Sequence, residues 1–317
     1  MSTLTDTRTQ AVRRTPPPGR PRRRITREAA AAWVLVLPFV FLFLAFTAGP
    51  VLGSLGMSFT DMRQRDLRTP FAVNGVGFDN YVKALSNETF QKAAFNTAYF
   101  VVVGVPLSIG VSFGAAVLVH ARVARFQGAL RTALFAPVVT TLVAVAVVWR
   151  YLFNPNYGLL NYGLARLGIA PIDWLGDPSW AMPAIIVLAV WKNFGYNMVI
   201  FLVGLQSIPE PLYEAARIDG ASVWRQFRHV TLPTLAPIVT MVNIMTIAGY
   251  FQLFAEPYVM TQGGPLQSTV SVLYFMYEEG FKWWNLGSAS AVAFLLFLFI
   301  FGITAVQLRL SRWEGVA

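Results

Sequence analysis

Residues 207–237 read SIPEPLYEAARIDGASVWRQFRHVTLPTLAP and connect two long apolar segments of the chain. Ser207 and Glu210 have the spacing of a capping box, in which the side chains satisfy free backbone N–H groups at the start of a helix. Pro209 then falls in the first turn, where its missing N–H costs nothing. Gly220 is expected to end this helix, because glycine readily adopts the left-handed conformation of a helix C-cap.

A second short helix is expected after Gly220. Ser222 can cap its first turn, and Pro233 would close it before the next apolar segment. Ala215 and Ala216 leave a low surface that another protein could approach closely. Charged side chains surround this surface, namely Glu214, Arg217, Asp219 and Arg225. We call residues 207–233 the elbow, and their pattern predicts a docking surface.

Two other interpretations of the elbow are open at this point. A helix-turn-helix reader of DNA has a similar outline. Anchoring by apolar segments on both sides would hold the elbow at a membrane surface, which argues against nucleic acid as a partner. The elbow could also be a purely structural connector.

The apolar runs on either side of the elbow have the length of a membrane span, about 20 residues. Of the 317 residues, 56% are hydrophobic and 13% are charged, which excludes soluble globular and disordered proteins. The absence of cysteine excludes a disulfide scaffold and a Cys/His zinc site. The expected fold is an all-α polytopic membrane protein with six spans, at about residues 31–59, 96–119, 130–153, 181–205, 235–257 and 287–308.

The basic residues predict how these spans are oriented. With the N-terminus in the cytoplasm, sixteen of the 25 Lys and Arg residues lie in cytoplasmic segments and eight in external ones. Such an excess is typical of the cytoplasmic side, so both termini are expected there. The chain would divide into a disordered basic tail (1–30), a first span (31–59), an external loop (60–95) and a five-span core (96–310) that contains the elbow.

Four stretches carry a resemblance to a known family. EAARIDGAS (214–222), followed by FRHVTLP (227–233), resembles the EAA loop of the membrane subunits of binding-protein-dependent ABC importers. FNPNYGLLN (153–161) and TQGGPLQST (261–269) are similar to stretches of the carbohydrate-uptake branch, the maltose-type and glycerol-phosphate-type permeases. The resemblance covers residues 90–310 and implies a type I ABC importer permease fold.

In that family the EAA loop is a coupling helix that sits in a groove of an ATPase subunit. The resemblance therefore implies a role in ATPase coupling for the matching residues, which are Glu214, Ala215, Ala216, Asp219, Gly220, Ala221 and Pro233.

The chain itself has no ATP-binding P-loop. That motif needs Gly-Lys followed by Ser or Thr, and the four lysines follow Val, Gln, Trp and Phe. The expectation is a transport subunit with no cofactor and no catalytic residue of its own. Its implied partners are a second, related permease, two ABC ATPase subunits, an extracytoplasmic solute-binding protein and the lipid bilayer of a bacterial plasma membrane.

Polar side chains inside the spans are candidates for the solute path, because such groups usually face the protein interior or a water-filled passage. Amides, hydroxyls and aromatic rings suit a sugar, which is expected to be of di- or oligosaccharide size. The alternative for each residue is a hydrogen bond between helices, and Lys192 could instead pair with Glu256 or with a backbone carbonyl. The candidates are Trp149, Lys192, Asn193, Tyr196, Asn197, Asn243, Tyr250 and Gln252.

Other functions are less consistent with the sequence. A permease for glycerol phosphate or another polar solute is the first alternative. A secondary transporter driven by protons or sodium would show inverted repeats, and none is evident. A membrane enzyme would need clustered His, Asp or Glu residues inside the spans, which this sequence lacks.

Overall fold

The computed structural model of the chain describes residues 27–69, 72–120 and 127–313. Residues 1–26 of the tail predicted to be disordered lie outside this described part. The described residues are almost entirely helical. Their α-helices are α1 (Arg27–Phe43), α2 (Gly49–Ser58), α3 (Asp79–Ser86), α4 (Glu88–His120), α5 (Gln127–Val139), α6 (Leu142–Leu152), α7 (Leu159–Arg166), α8 (Pro178–Gln206), α9 (Glu210–Ile218), α10 (Val223–Gln226), α11 (Leu232–Tyr250), α12 (Ala255–Met260), α13 (Val272–Tyr277) and α14 (Leu286–Trp313).

The chain divides into two compact units, residues 1–52 and 53–317. In the first unit, α1 continues through a π-helical turn, Leu44–Ala48, into α2. The helical segment Ala31–Ser58 has 28 residues and matches the first predicted span. At 1.5 Å per residue it is about 42 Å long, enough to cross a bilayer.

In the second unit four further segments are long and apolar enough to cross a membrane. They are Glu88–His120, Pro178–Gln206, Val223–Tyr250 and Leu286–Ser311. The second of the six spans therefore begins before the predicted residue 96, and the fifth begins well before residue 235. The prediction of an all-α polytopic fold is confirmed, with five continuous candidate spans and one bent pair of helices in the described residues.

The third span differs from its prediction. A continuous helix over 130–153 was expected, but α5 and α6 meet at an angle of 99°. The hydroxyl of Thr140 donates to the carbonyl of Pro137 at 2.6 Å, and Thr141 has extended backbone angles. These two β-branched residues after a proline interrupt the helix, because the hydroxyl competes for a carbonyl of the last helical turn.

The core of the second unit is built on α4 and α8, which make its most extensive helix–helix contact. Near one end, Phe100 of α4 shares a buried cluster with Ile185 of α8 and Tyr250 of α11. Near the other end, Val119 of α4 shares a second cluster with Leu205 of α8. The helices α4 and α8 therefore run parallel. The elbow follows the end of α8, so the elbow and the start of α11 lie at the end that contains Val119 and Leu205.

Candidate functional site

The first helix of the elbow, α9, ends at Gly220, as the sequence predicts. Gly220 has a φ of +73°, in the left-handed region. The N–H of Gly220 donates to the carbonyl of Arg217 at 3.1 Å, and the N–H of Ala221 donates to that of Ala216 at 2.9 Å. This pair of bonds is a Schellman motif, which satisfies carbonyls that a helix end would otherwise leave free. The predicted C-cap at Gly220 is confirmed.

Two other local predictions for the elbow are wrong. The hydroxyl of Ser207 donates back to the carbonyl of Gly204 at 2.8 Å, so Ser207 closes α8 and makes no capping box with Glu210. Pro233 does not close a second short helix, because α10 passes through the π-helical turn Phe227–Thr231 directly into α11. Pro233 thus lies inside a continuous helical segment, where it lacks the N–H that another residue would donate to the preceding π-helical turn.

The second half of the elbow begins at Ser222, as predicted. Its hydroxyl accepts a hydrogen bond from the N–H of Arg225 at 3.4 Å. The side chain of Gln226 donates to the carbonyl of Ala221 at 2.9 Å and braces the turn after Gly220. The elbow is thus one short helix, a left-handed corner and the first turns of the fifth span.

A hydroxyl pair ties the elbow to that span. The hydroxyls of Tyr213 and Thr231 lie 2.8 Å apart, and the ring of Tyr213 packs against the buried cluster that contains Leu205. Tyr213 is therefore a link between α9 and the base of α11. A movement of α9 would be passed to the span through this contact.

The tip of the elbow exposes apolar side chains. Ile218 is 86% exposed, Val223 83% and Trp224 66%. Of the motif residues, Ala216 and Ala221 are half-buried and the others are exposed, including Glu214, Ala215, Asp219, Gly220 and Pro233. A contiguous exposed apolar surface rimmed by polar residues is typical of a protein interaction site.

A cavity of about 660 Å³ lies beside the middle of α8, at residues 189–197. It is bounded by α4, α8, α11, α12 and the break between α5 and α6. Six of the eight predicted solute-path residues line it, namely Lys192, Asn193, Tyr196, Asn197, Tyr250 and Gln252. Pockets of this size accommodate small organic molecules.

The other two predicted residues do not line the cavity. The indole of Trp149 packs against Phe153 and Trp191, with ring centroids 5.3 and 5.5 Å apart. Asn243 is half-buried on α11, one turn from Thr246. Trp149 therefore supports the packing of α6 on α8, and no solute contact is assigned to either residue.

The polar contacts in the cavity decide between the alternatives that the sequence left open. The ammonium of Lys192 donates to the carbonyl of Val138 at 2.9 Å, so its partner is a backbone carbonyl. The amide of Asn197 donates to the hydroxyl of Thr246 at 3.0 Å, which is a bond between helices. The amide of Asn193 donates within α8 to the carbonyl of Ala189 at 2.9 Å.

Close helix contacts shape the walls of this cavity. A Cβ on Gly104 would lie 2.8 Å from the ring of Tyr250, which also stacks on Phe100 at 5.0 Å. A Cβ on Gly195 would lie 2.6 Å from the carbonyl oxygen of Leu134 in α5. Small residues permit such approaches between membrane helices. Glycine at positions 195 and 104 allows α5 to pack against α8 and Tyr250 to pack against α4.

Sequence reasoning missed Thr246 as a member of the site. It faces the cavity with Tyr250, four residues further along α11. This i, i+4 spacing around a candidate residue was the available signal.

The TQGGPLQST stretch is held against the start of α4. The amide of Asn96 donates to the carbonyls of Gln267 and Val270 at 2.8 and 2.9 Å. The hydroxyl of Thr97 accepts from the N–H of Val272 at 3.0 Å. These three bonds fix the loop beside the end of the bundle that holds the cavity.

The segment after the first span is also ordered by polar contacts. The side chain and backbone N–H of Asn74 donate to the carboxylate of Asp61 and lower the pKa of that carboxyl. The hydroxyls of Ser58 and Tyr81 lie 2.7 Å apart. Further along, a hydrogen bond to Glu278 raises the pKa of the Lys282 ammonium. The loops at this end therefore carry fixed charges of both signs.

Comparison with known proteins gives a consistent result. The family described as "Binding-protein-dependent transport system inner membrane component" matches residues 104–314. A trehalose/maltose transport system permease protein of Thermococcus litoralis is 34% identical over 297 residues, which is 91% of this chain and 96% of that protein. An arabinooligosaccharides transport system permease protein of Bacillus subtilis is 33% identical over 286 residues, or 90% and 89% of the two chains.

A solved structure shows the same fold. A chain of a bacterial alginate ABC transporter, crystallised with an alginate-bound periplasmic protein, matches with a TM-score of 0.76. The match covers 92% of this chain and 96% of that chain at 22% identity. At this level of identity the likeness establishes the fold.

Proposed function

Because the chain belongs to the family of binding-protein-dependent transport system inner membrane components, we propose that it moves a sugar of di- or oligosaccharide size into the cell as one permease subunit of an ABC importer. The chain is a membrane transport permease by its family. The observation that carries the sugar assignment is the 660 Å³ cavity, which gathers six of the eight polar candidates from two spans.

The lining of the cavity has the chemistry that a sugar requires. Asn193 and Gln252 provide amides, Thr246 provides a hydroxyl, and Tyr196 is 47% exposed and offers an aromatic face. Sugar hydroxyls need donors and acceptors, and their C–H faces pack on rings. The names of the related permeases, which mention trehalose, maltose and arabino-oligosaccharides, support the same solute class.

The elbow provides the coupling surface in this proposal. An ATPase subunit would grip the exposed tip formed by Ile218, Val223 and Trp224. Closure of two such subunits on ATP would move α9, and the contact between Tyr213 and Thr231 would pass the movement to α11. Since α11 also lines the cavity, the movement would open or close the solute path.

The proposal also includes a second permease, a solute-binding protein and an orientation in the membrane. Three of the five continuous spans and the bent pair of helices line the cavity, and a second permease subunit would complete the path. A solute-binding protein would dock on the loops that Asn96 and Asn74 hold in place. ATP hydrolysis would take place in the ATPase subunits, and both termini would lie in the cytoplasm of a bacterial cell.

Purification from native membranes with uptake assays tests this function. We expect the chain to co-purify with an ATPase, a second permease and a solute-binding protein. Sugar uptake into vesicles should stop on ATP depletion and persist when ion gradients are collapsed. Uptake that persists on ATP depletion but stops when ion gradients are collapsed would contradict the proposal. Purification of the chain without an ATPase would also contradict it.

Glycerol phosphate is the second candidate solute. The observation in its favour is Lys192, a cation on the wall of the cavity that a phosphate could approach. Competition between a neutral disaccharide and glycerol phosphate for uptake separates the two candidates.

A further inference from the structure

A second cavity lies against the TQGGPLQST loop, at the end of the bundle opposite the elbow. We call it the outer groove. Its volume is about 550 Å³, and it is bounded by the start of α4, by the loop, and by α13 with the π-helical turn Glu278–Lys282 that follows. Its described lining includes none of the residues predicted for the solute path, so the groove has no role in the function proposed above.

The backbone around the outer groove adopts costly conformations. The described part of the chain has four non-glycine residues with positive φ. Three of them line the groove, namely Gln262 at +50°, Leu266 at +48° and Gln267 at +60°. The fourth, Trp284 at +58°, directly follows the lining residue Trp283. Strained backbone of this kind clusters at ligand-binding sites, and π-helical turns are frequent at functional sites.

Hydrogen bonds hold the loop in these conformations. The buried side chain of Asn96 donates to the carbonyls of Gln267 and Val270 at 2.8 and 2.9 Å. Across the loop, the hydroxyls of Thr261 and Thr269 lie 2.7 Å apart. The groove is therefore formed before any ligand arrives, and such preorganisation lowers the entropic cost of binding.

The lining of the outer groove has the groups that a neutral sugar requires. The side chains of Gln262 and Gln267 are exposed, and the described hydrogen bonds of the loop use its backbone and its threonine hydroxyls rather than these two amides. In the π-helical turn, the carboxylate of Glu279 can accept hydrogen bonds from sugar hydroxyls. The indole of Trp283 is 59% exposed and offers a flat surface to the C–H face of a sugar ring.

The helix α13 separates the outer groove from the cavity of the proposed solute path. Leu273 lines the cavity, whereas the next two residues, Tyr274 and Phe275, line the groove. The ring of Tyr274 lies 6.1 Å from that of Phe254, which lines the cavity. Since α13 has only six residues, a sugar in the groove would be separated from the cavity by one short helix.

We propose that the outer groove is a second sugar-binding site, which receives the solute before it enters the cavity. This inference rests on the proposed transport function and adds an entry site to the path. A solute-binding protein docked on the neighbouring loops would release its sugar beside the groove, where Trp283 and the two glutamines would hold it. An entry site must pass its ligand on, so we expect a neutral disaccharide to bind with a Kd on the order of 1 mM.

Fluorine NMR with a label on Leu266→Cys measures binding in the groove. Leu266 lines the groove and is 79% exposed, and the chain has no cysteine of its own. The sample is the complete importer in nanodiscs, without ATP and without the solute-binding protein, and the same complex without Leu266→Cys gives the background. Maltose, trehalose and arabinobiose are the probes, and we expect at least one of them to shift the label in a saturable manner.

Variants in the labelled chain locate the bound sugar. Trp283→Ala removes the aromatic surface and Gln262→Met removes an amide, and each should weaken binding about fivefold. Gln91→Met is the matched control, because Gln91 is an exposed glutamine outside the groove, and it should leave the Kd unchanged. Tyr196→Ala, in the cavity, should also leave the Kd unchanged. An unchanged Tm shows that each variant is folded.

Three outcomes overturn the entry site. The first is that no disaccharide produces a saturable shift, and the second is a Kd that Trp283→Ala and Gln262→Met leave unchanged. The third is a shift that needs the solute-binding protein but no sugar, which would make the groove a docking surface for that protein. ATP-driven uptake of the same sugars by the wild type, measured in parallel, tests the transport function separately, so the entry site can fail while that function stands.

Discussion

Replacement of Gly220 by valine is expected to disable the elbow through its backbone conformation. A Cβ at this position would meet no atom within 4 Å, so a clash contributes nothing. The energetic cost of valine at this position comes entirely from the φ of +73°. A residue with a Cβ pays about 1–2 kcal/mol in this region, and a β-branched residue pays more.

That cost falls on a small structure. The helix α9 has nine residues, and its last carbonyls at Ala216 and Arg217 are satisfied only while Gly220 keeps this conformation. Since about 1.4 kcal/mol corresponds to a tenfold change in an equilibrium, we expect ATP-driven uptake by Gly220→Val to fall at least tenfold. Insertion into the membrane should be normal, because the spans are unchanged.

Uptake into right-side-out membrane vesicles or reconstituted vesicles loaded with ATP, normalised to the amount of inserted protein, measures this effect. Gly220→Asn is the matched control, because asparagine tolerates the left-handed region and should retain most of the uptake. Gly114→Ala, in α4, tests the loss of a glycine with open space around it and helical backbone angles. The reasoning is refuted if the valine variant transports normally, or if asparagine is as harmful as valine.

Three further changes test other contacts. Tyr213→Phe removes the bond to Thr231 and should destabilise the elbow by about 1 kcal/mol, seen as faster proteolysis there; unchanged proteolysis would show that the bond is unimportant. Gly195→Ala places a Cβ 2.6 Å from a carbonyl of α5 and should cost about 1–3 kcal/mol, lowering Tm in detergent. Asn96→Leu leaves two carbonyls without their donor and should expose residues 261–271 to protease; full protection would contradict this role.

The sequence by itself determined the spans and the corner of the elbow. Runs of apolar residues of bilayer length allow few structures other than helices, because unsatisfied backbone groups are costly in hydrocarbon. Gly220 and Ser222 act within one or two turns of the backbone, so their roles as C-cap and N-cap follow from residue type. The family likewise follows from the EAA stretch and is confirmed by the comparisons.

The types of residue that line the cavity could be predicted from the sequence, but the contacts of those residues could not. Asn193, Asn197 and Tyr250 were identified because polar side chains inside spans are unusual. Trp149 was expected with them, yet its ring packs on Trp191. Which face of a helix points toward the cavity depends on the neighbouring helices. In membrane spans apolar residues occur on every face, so the sequence pattern does not identify that face.

Only the tertiary structure decided where the third span breaks and which partner Lys192 takes. The 99° bend places the carbonyl of Val138 beside a lysine 54 positions along the chain, and Glu256 lines the same cavity. Local sequence could not show this, since several acceptors competed for Lys192. The packing of α5 on α8 through Gly195 resolved that competition, because it fixed which acceptor came within reach.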